Sequence, residues 1–259
     1  MDIITSTSNE RIRHICDLIK NTKARRKEGD FVVEGERIAS EIPKEMLKEC
    51  YVTQEYSVDG KLARVFAYDV RPVVVSAPVF KKMSDTQSPQ GILCVCRMRT
   101  GSLEDFLSSR KDGGLKLLVL ETIQDPGNLG TMIRTAEGAG FDAVIADEKT
   151  VDVYNPKVTR STMGSIFRVP IFYASDALSA VDLLKRENVT VYAAHLQGQN
   201  DYRVEKYAER LAFLIGNEGA GLSERVTKEA DRLLKIPMKG KLESLNAAIA
   251  AAILMYSTE

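Results

Sequence analysis

Histidine is nearly absent from this 259-residue chain. His14 and His195 are the two present, and neither has a second histidine or a cysteine pair beside it, which argues against a zinc site. Cysteine is sparse too. Cys16, Cys50, Cys94 and Cys96 all lie in the N-terminal part, with Cys94 and Cys96 two apart in the apolar run GILCVCRM. A strand there turns both side chains to one face, so they are expected as reduced core thiols rather than metal ligands. No apolar run approaches the roughly 18 residues of a membrane span, and the opening MDIITSTSNERIRH lacks the charged-then-apolar order of a secretory signal. A cytoplasmic protein with no membrane partner and no bound metal is therefore expected. The dinucleotide fingerprint G-x-G-x-x-G is missing, which disfavours a nucleotide oxidoreductase, and there are no repeats or low-complexity tracts.

What remains is an ordinary globular composition, 44% hydrophobic and 28% charged, long enough for one or two cores. The net charge of zero is divided unevenly. Residues 1–111 carry 19 Lys and Arg against 16 Asp and Glu, and residues 112–259 carry 17 against 20. Arg11, Arg13, Lys20, Lys23, Arg25, Arg26 and Lys27 crowd one stretch with Asp17 as its single acid. Such a run is either a solvated helix face or a footprint for nucleic-acid phosphates.

Apolar spacing predicts a helix over 9–20, capped by Ser8, then strands at 31–33, 51–53, 72–76 and 91–97 with helices near 36–48 and 78–83. That reads as a small α/β domain over 1–98. A polar, glycine-ended linker over 99–114 follows. Residues 115–259 then alternate regularly: strands at 116–121, 143–146, 169–173, 189–194, 211–215 and 233–236, with helices at 129–139, 155–163, 176–186 and 223–230. This order predicts a parallel sheet covered on both faces.

Three polar segments follow strands of the second domain, where open parallel sheets bind ligands. In DPGNLGTMIRTA, Asn128 is expected to cap a helix that carries Arg134. GNEGAGL, residues 216–222, allows positive φ and close backbone approach, and its Glu218 suits a ribose hydroxyl, an arginine or a cation. IPMKGKLESLNAAIAAAI, residues 236–253, turns at Lys239, Gly240 and Lys241 and restarts as an alanine-rich helix with Ser244 as its cap. By composition that last segment is either an alanine-packed core unit or a ligand loop.

Together, Asn128, Gly130, Arg134 and Ala136, then GNEGAGL, then I-P-M-x-G-x-x-x-S-L-N-A-A resemble the three motifs of the SpoU/TrmH RNA 2′-O-ribose methyltransferases. Within these three motifs Ala247 is a mild variation, and STMGSIFRVP, residues 161–170, is also family-like. FVVEGERI and SDTQSPQGI resemble the L30e/L7Ae-like substrate-binding domain that often precedes the catalytic one. The resemblance implies an α/β catalytic domain with a C-terminal trefoil knot, S-adenosylmethionine as methyl donor, and a homodimer through the catalytic domains. It implies a donor pocket of Leu196, Gly216, Asn217, Glu218, Ile236, Met238, Ser244 and Leu245. Catalysis would fall to Arg134, oriented by Asn128, with Ser244, with Asn246 tying the loops, and with Glu218 as the nearest proton acceptor. Arg11, Arg13, Lys23, Arg25, Arg26, Lys27, Arg160 and Arg168 would meet RNA phosphates, with ribosomal RNA ahead of transfer RNA. Gly240 would let the loop close over the donor, so Gly240→Val is expected to abolish donor binding. The rival readings are a transfer-RNA enzyme, an inactive L30e-like RNA-binding protein, and a knotted enzyme that methylates a base nitrogen.

Overall fold

The computed structural model describes residues 3–59 and 61–258. The chain divides into two compact units, Met1–Arg99 with Asp152–Phe167, and Thr100–Val151 with Arg168–Glu259.

In the first unit, strands β1 (Asp30–Glu34), β2 (Leu47–Thr53), β3 (Val73–Val75) and β4 (Ile92–Arg97) form a sheet in the order β1-β4-β2-β3. β4 runs antiparallel to β1 and β2, and β3 pairs parallel with β2. The Glu10–Lys20 helix buries Ile12, Ile15 and Leu18 against the sheet and the Ala77–Met83 helix. Its cap is Asn9 rather than Ser8, because Asn9 Oδ1 accepts the Arg11 N–H at 3.0 Å. The helix expected over 36–48 stops at Ala39, and Leu47 already belongs to β2. Pro43 explains this, having no N–H to continue the ladder and pushing its predecessor toward extended backbone. Cys50 and Cys94 face each other across β2 and β4, and with Cys96 they are unpaired, buried thiols.

Residues 152–167, beyond the expected domain boundary, pack with the first unit. The rings of Tyr154 and Phe167 lie 4.6 and 5.9 Å from that of Phe31. Arg25, expected as a phosphate contact, is 1% exposed and cannot reach RNA. Its Nε donates to Asp152 Oδ2 at 2.8 Å, Nη1 donates to the carbonyls of Leu18 and Ile19, and Nη2 donates to Thr22 Oγ1 and to Asp152. A buried guanidinium persists only when paired and hydrogen-bonded in this way.

In the second unit, β5 (Leu115–Leu120), β6 (Ala143–Asp147), β7 (Ile171–Ala174), β8 (Thr190–Ala194), β9 (Asn200–Asp201), β10 (Arg210–Ile215) and β11 (Arg232–Lys235) form one sheet in the order β7-β6-β5-β10-β8-β11-β9. Every neighbouring pair is parallel. Alternation sorts the strand residues: Leu117, Val119, Ile145, Val191 and Leu214 enter one apolar cluster with the Ala177–Arg186 helix. The intervening Leu118, Leu120, Val144 and Phe213 are buried as well, and the Pro126–Gly138 and Ala247–Tyr256 helices pack on each other and on β6 and β10. The stretch expected as linker holds a short helix, Leu103–Ser108, whose Leu103 and Leu107 join the first of these clusters. Winding runs outward from β5 to β7, then resumes at β8 on the other side of β10. That reversal opens a crevice at the carboxyl ends of the strands.

Candidate active site

A cleft of about 650 Å³ sits at those carboxyl ends. The turns after β8, β10 and β11 supply its walls, and all eight residues expected to hold the donor line it: Leu196, Gly216, Asn217, Glu218, Ile236, Met238, Ser244 and Leu245. Leu196, Ile236, Met238 and Leu245 give apolar surface for a flat ring. Around Gly219 and Gly221 an added Cβ would meet at most Asn217 Oδ1 at 3.6 Å, so that stretch leaves its backbone open to a ligand. Volume and lining fit a nucleoside-sized molecule, small-molecule sites spanning about 300–1,000 Å³.

The 216–221 turn is built by its own chain. Asn217 and Gly221 exchange backbone hydrogen bonds at 3.1 and 2.9 Å, and Asn217 Oδ1 accepts the N–H groups of Gly219 and Ala220, both at 2.9 Å. A Cβ at Gly216 would lie 2.2 Å from the carbonyl carbon of Gly221, so only glycine fits there. Gly240 has no such need. Its Cβ position is open and its φ lies outside the left-handed region, so a side chain fits there and Gly240→Val leaves the donor turn in place. Gly198 escaped the sequence reading, although an added Cβ there would lie 2.8 Å from the backbone of β11. Its only signal was an isolated glycine shortly after β8.

Glu218, Asn128 and Asn246 form one line across three segments. Asn246 Nδ2 donates to Asn128 Oδ1 at 3.0 Å, and Asn128 Nδ2 donates to Glu218 Oε1 at 3.1 Å. The backbone N–H groups of Asp125 and Gln124 donate to the two Glu218 oxygens at 3.0 and 3.1 Å. Desolvation alone would raise the Glu218 carboxyl, but these donors outweigh it and hold the group below its ordinary range. A carboxylate so occupied is a poor proton acceptor, which corrects the role expected for Glu218. Asn128 is not the helix cap either, since Asp125 Oδ1 accepts the Asn128 N–H at 2.8 Å. Asn246, not Ser244, caps the C-terminal helix, accepting from Ala248 and Ile249 at 2.9 and 3.3 Å. Ser244 is exposed at the cleft wall.

Arg134 stands on the Pro126–Gly138 helix, exposed to solvent. Among the described residues it has no hydrogen-bond or ion-pair partner, Asn128 included. A cation without a partner is available to an anionic ligand. Of the expected RNA contacts, Arg13, Lys23, Arg26 and Lys27 are exposed. Arg11 pairs with Glu49 at 3.1 Å, Arg160 with Asp85 at 3.0 Å, and Arg168 with Glu137. No group of three or more His, Cys, Asp or Glu side chains among the described residues is placed to hold a metal ion. None of their helices is long and apolar enough to cross a membrane.

Residues 116–256 match the SpoU rRNA Methylase family, and residues 9–94 match the MRM3-like substrate binding domain. The chain is 37% identical over 258 residues, 99% of this chain and 98% of the relative, to the 23S rRNA (guanosine(2553)-2'-O)-methyltransferase RlmP of Bacillus subtilis. Its fold matches that of an AdoMet-bound rRNA methyltransferase from Sinorhizobium meliloti with a TM-score of 0.83 at 30% identity, covering 99% and 96% of the two chains. The SpoU methyltransferase AviRb from Streptomyces viridochromogenes, in complex with AdoMet, matches with a TM-score of 0.83 at 26% identity and 96% coverage of both chains. A parallel sheet with a ligand cleft at its switch point, preceded by a substrate-binding domain and matched along nearly its whole length, places this chain in the SpoU rRNA methylase family.

Proposed function

We propose that the protein transfers a methyl group from S-adenosylmethionine to a ribose 2′-hydroxyl in structured RNA, with ribosomal RNA as the target class. The observation that carries this reading is the cleft, where all eight expected donor residues converge while Arg134 stands on the helix tied to its rim. The name of the Bacillus relative supports ribosomal RNA as the substrate.

When bound, S-adenosylmethionine would supply a sulfonium methyl group: the C–O bond to the ribose oxygen would form as the S–C bond breaks, S-adenosylhomocysteine would leave, and the 2′-hydroxyl proton would pass to solvent water. Leu196, Ile236, Met238 and Leu245 would hold the apolar part of the donor, and the 216–221 backbone would take its polar groups. A guanidinium has no free lone pair with which to take the hydroxyl proton, so Arg134 is not assigned the role of base. It binds the neighbouring phosphate and stabilises negative charge growing on the 2′-oxygen. Orientation and charge stabilisation supply most of the rate. Asn128 and Glu218 work by holding the Arg134 helix against the donor turn.

Two finer points belong to the same reading. The Asn246–Asn128 bond would lock the last segment behind the donor turn as the closure of a trefoil knot. The Ala247–Tyr256 helix leaves Ile249 and Tyr256 each 51% exposed, and we propose that a second copy covers them in a cytoplasmic homodimer. Calorimetry with S-adenosylmethionine tests the donor, and mass spectrometry of nuclease-resistant dinucleotides from modified RNA tests the acceptor. Methyl groups on ribose are expected. Methylation on a base nitrogen, or no donor binding, would overturn the proposal.

A further inference from the structure

We infer that Asp147 and Thr122 form a positioning pair that sets the donor turn from outside the cleft. Neither residue lines the cleft. Asp147 ends β6 and is 3% exposed, with both carboxylate oxygens engaged. Its Oδ1 accepts the Thr122 N–H at 3.0 Å, the Thr150 N–H at 2.8 Å and the Thr150 hydroxyl at 2.7 Å, and its Oδ2 accepts the Thr122 hydroxyl at 3.0 Å.

This clamp holds an unusual backbone. Thr122 has φ of +58°, a left-handed conformation that a β-branched residue adopts only when its surroundings impose it. Neighbouring bonds reinforce the clamp, with Thr150 Oγ1 accepting the Ile123 N–H at 3.1 Å and the Val151 N–H donating to the Ile123 carbonyl at 2.8 Å. With its N–H and hydroxyl held by Asp147, the strained residue turns its carbonyl to the cleft wall. The Thr122 carbonyl accepts Asn217 Nδ2 at 2.8 Å, which orients the amide whose other end organises Gly219 and Ala220. Two and three residues further on, Gln124 and Asp125 present the N–H groups that hold Glu218. One short segment, Thr122–Asp125, thus grips both Asn217 and Glu218. Its direction out of β5 is set at Thr122. If φ there relaxed to a negative value, the carbonyl and the two N–H groups would swing away together, and the donor turn would lose its template.

The inference rests on the donor-binding reading of the cleft, and its test separates the two. Calorimetry with S-adenosylmethionine is run on wild type, Asp147→Ala, Asp147→Asn and the double variant Asp147→Ala/Thr122→Gly, with thermal unfolding recorded for each. Wild type should bind. Asp147→Ala should weaken binding by about tenfold or more, Asp147→Asn by less, and Thr122→Gly in the Asp147→Ala background should restore most of the loss, because glycine holds positive φ without a clamp. A purely structural Asp147 would show no such rescue. Should Asp147→Ala fail to fold, Thr122→Val against Thr122→Gly decides, with valine keeping the strain but losing the hydroxyl bond and weakening binding about threefold more than glycine. No binding by wild type would sink the donor reading itself. Binding by wild type with unchanged affinity in Asp147→Ala, or a double variant no better than the single one, would overturn the positioning pair alone.

Discussion

Arg25 and Arg134 stand in the two units of this chain and exchange the roles that their sequence settings suggest. The stretch 11–27 is conspicuously basic, yet its Arg25 is buried, saturated with partners and closed to RNA. The helix 126–138 carries Arg134 among small and apolar residues, and that arginine is exposed with no partner among the described residues. Local charge density therefore does not distinguish a structural cation from a functional one. What does is the presence of a carboxylate close in space, and the partner of Arg25 lies 127 residues away.

The sharpest way to break the contrast is to remove each arginine. Arg25→Ala leaves Asp152 buried without its cation and should cost about 3–5 kcal/mol in denaturant unfolding. A loss below about 1 kcal/mol, with weakened RNA binding, would return Arg25 to the surface footprint. Arg134→Ala should lower the methylation rate by about 10²–10³-fold while donor affinity and stability stay near wild type. Activity near wild type would remove Arg134 from the reaction. Gly216→Ala should lose donor affinity by about tenfold or more, its new methyl colliding with the Gly221 backbone, whereas Gly240→Val should change affinity less than about twofold. Neutralising Arg26 and Lys27 should flatten the salt dependence of RNA binding by about one unit of log–log slope for each phosphate that no longer meets a cation. An unchanged slope would make the whole basic stretch solvated surface.

The smallest effect expected is that of pH. The folded-state pKa of Glu218 is depressed, so the stabilisation it gives the donor turn is complete above the ordinary carboxylate range and is lost only as pH falls through the depressed value. Donor affinity should thus stay flat from about pH 7 to about pH 5 by calorimetry. A decline already near neutrality would mean that Glu218 titrates high and is available as a base.

The same contrast explains what was legible in the sequence. Strand positions in the second unit follow from apolar runs broken by glycine and polar turns, and each expected strand overlaps an observed one. The cleft residues were legible because motif resemblance marks loops after strands, and strand ends converge in a parallel sheet. Capping assignments were less so. Asn128 and Ser244 are plausible caps by type, but Asp125 and Asn246 sit where the first free N–H groups point. The glycine that matters, Gly216, could not be told from Gly240, because the difference lies in which backbone passes alongside. Thr122 and Asp147 carry no local signal, since positive φ at a threonine and a satisfied buried carboxylate arise only once β5 and β6 stand side by side.

The three thiols at the centre of the first sheet have a practical consequence. Burial pushes Cys94 and Cys96 well above the ordinary thiol range, and Cys50 lies directly across from Cys94. The reactive thiolate is therefore scarce and shielded together. An alkylating reagent should modify half-buried Cys16 promptly and the other three only when the sheet opens. Their labelling rate is then a clock for the opening of the first unit, read without adding any probe to the chain.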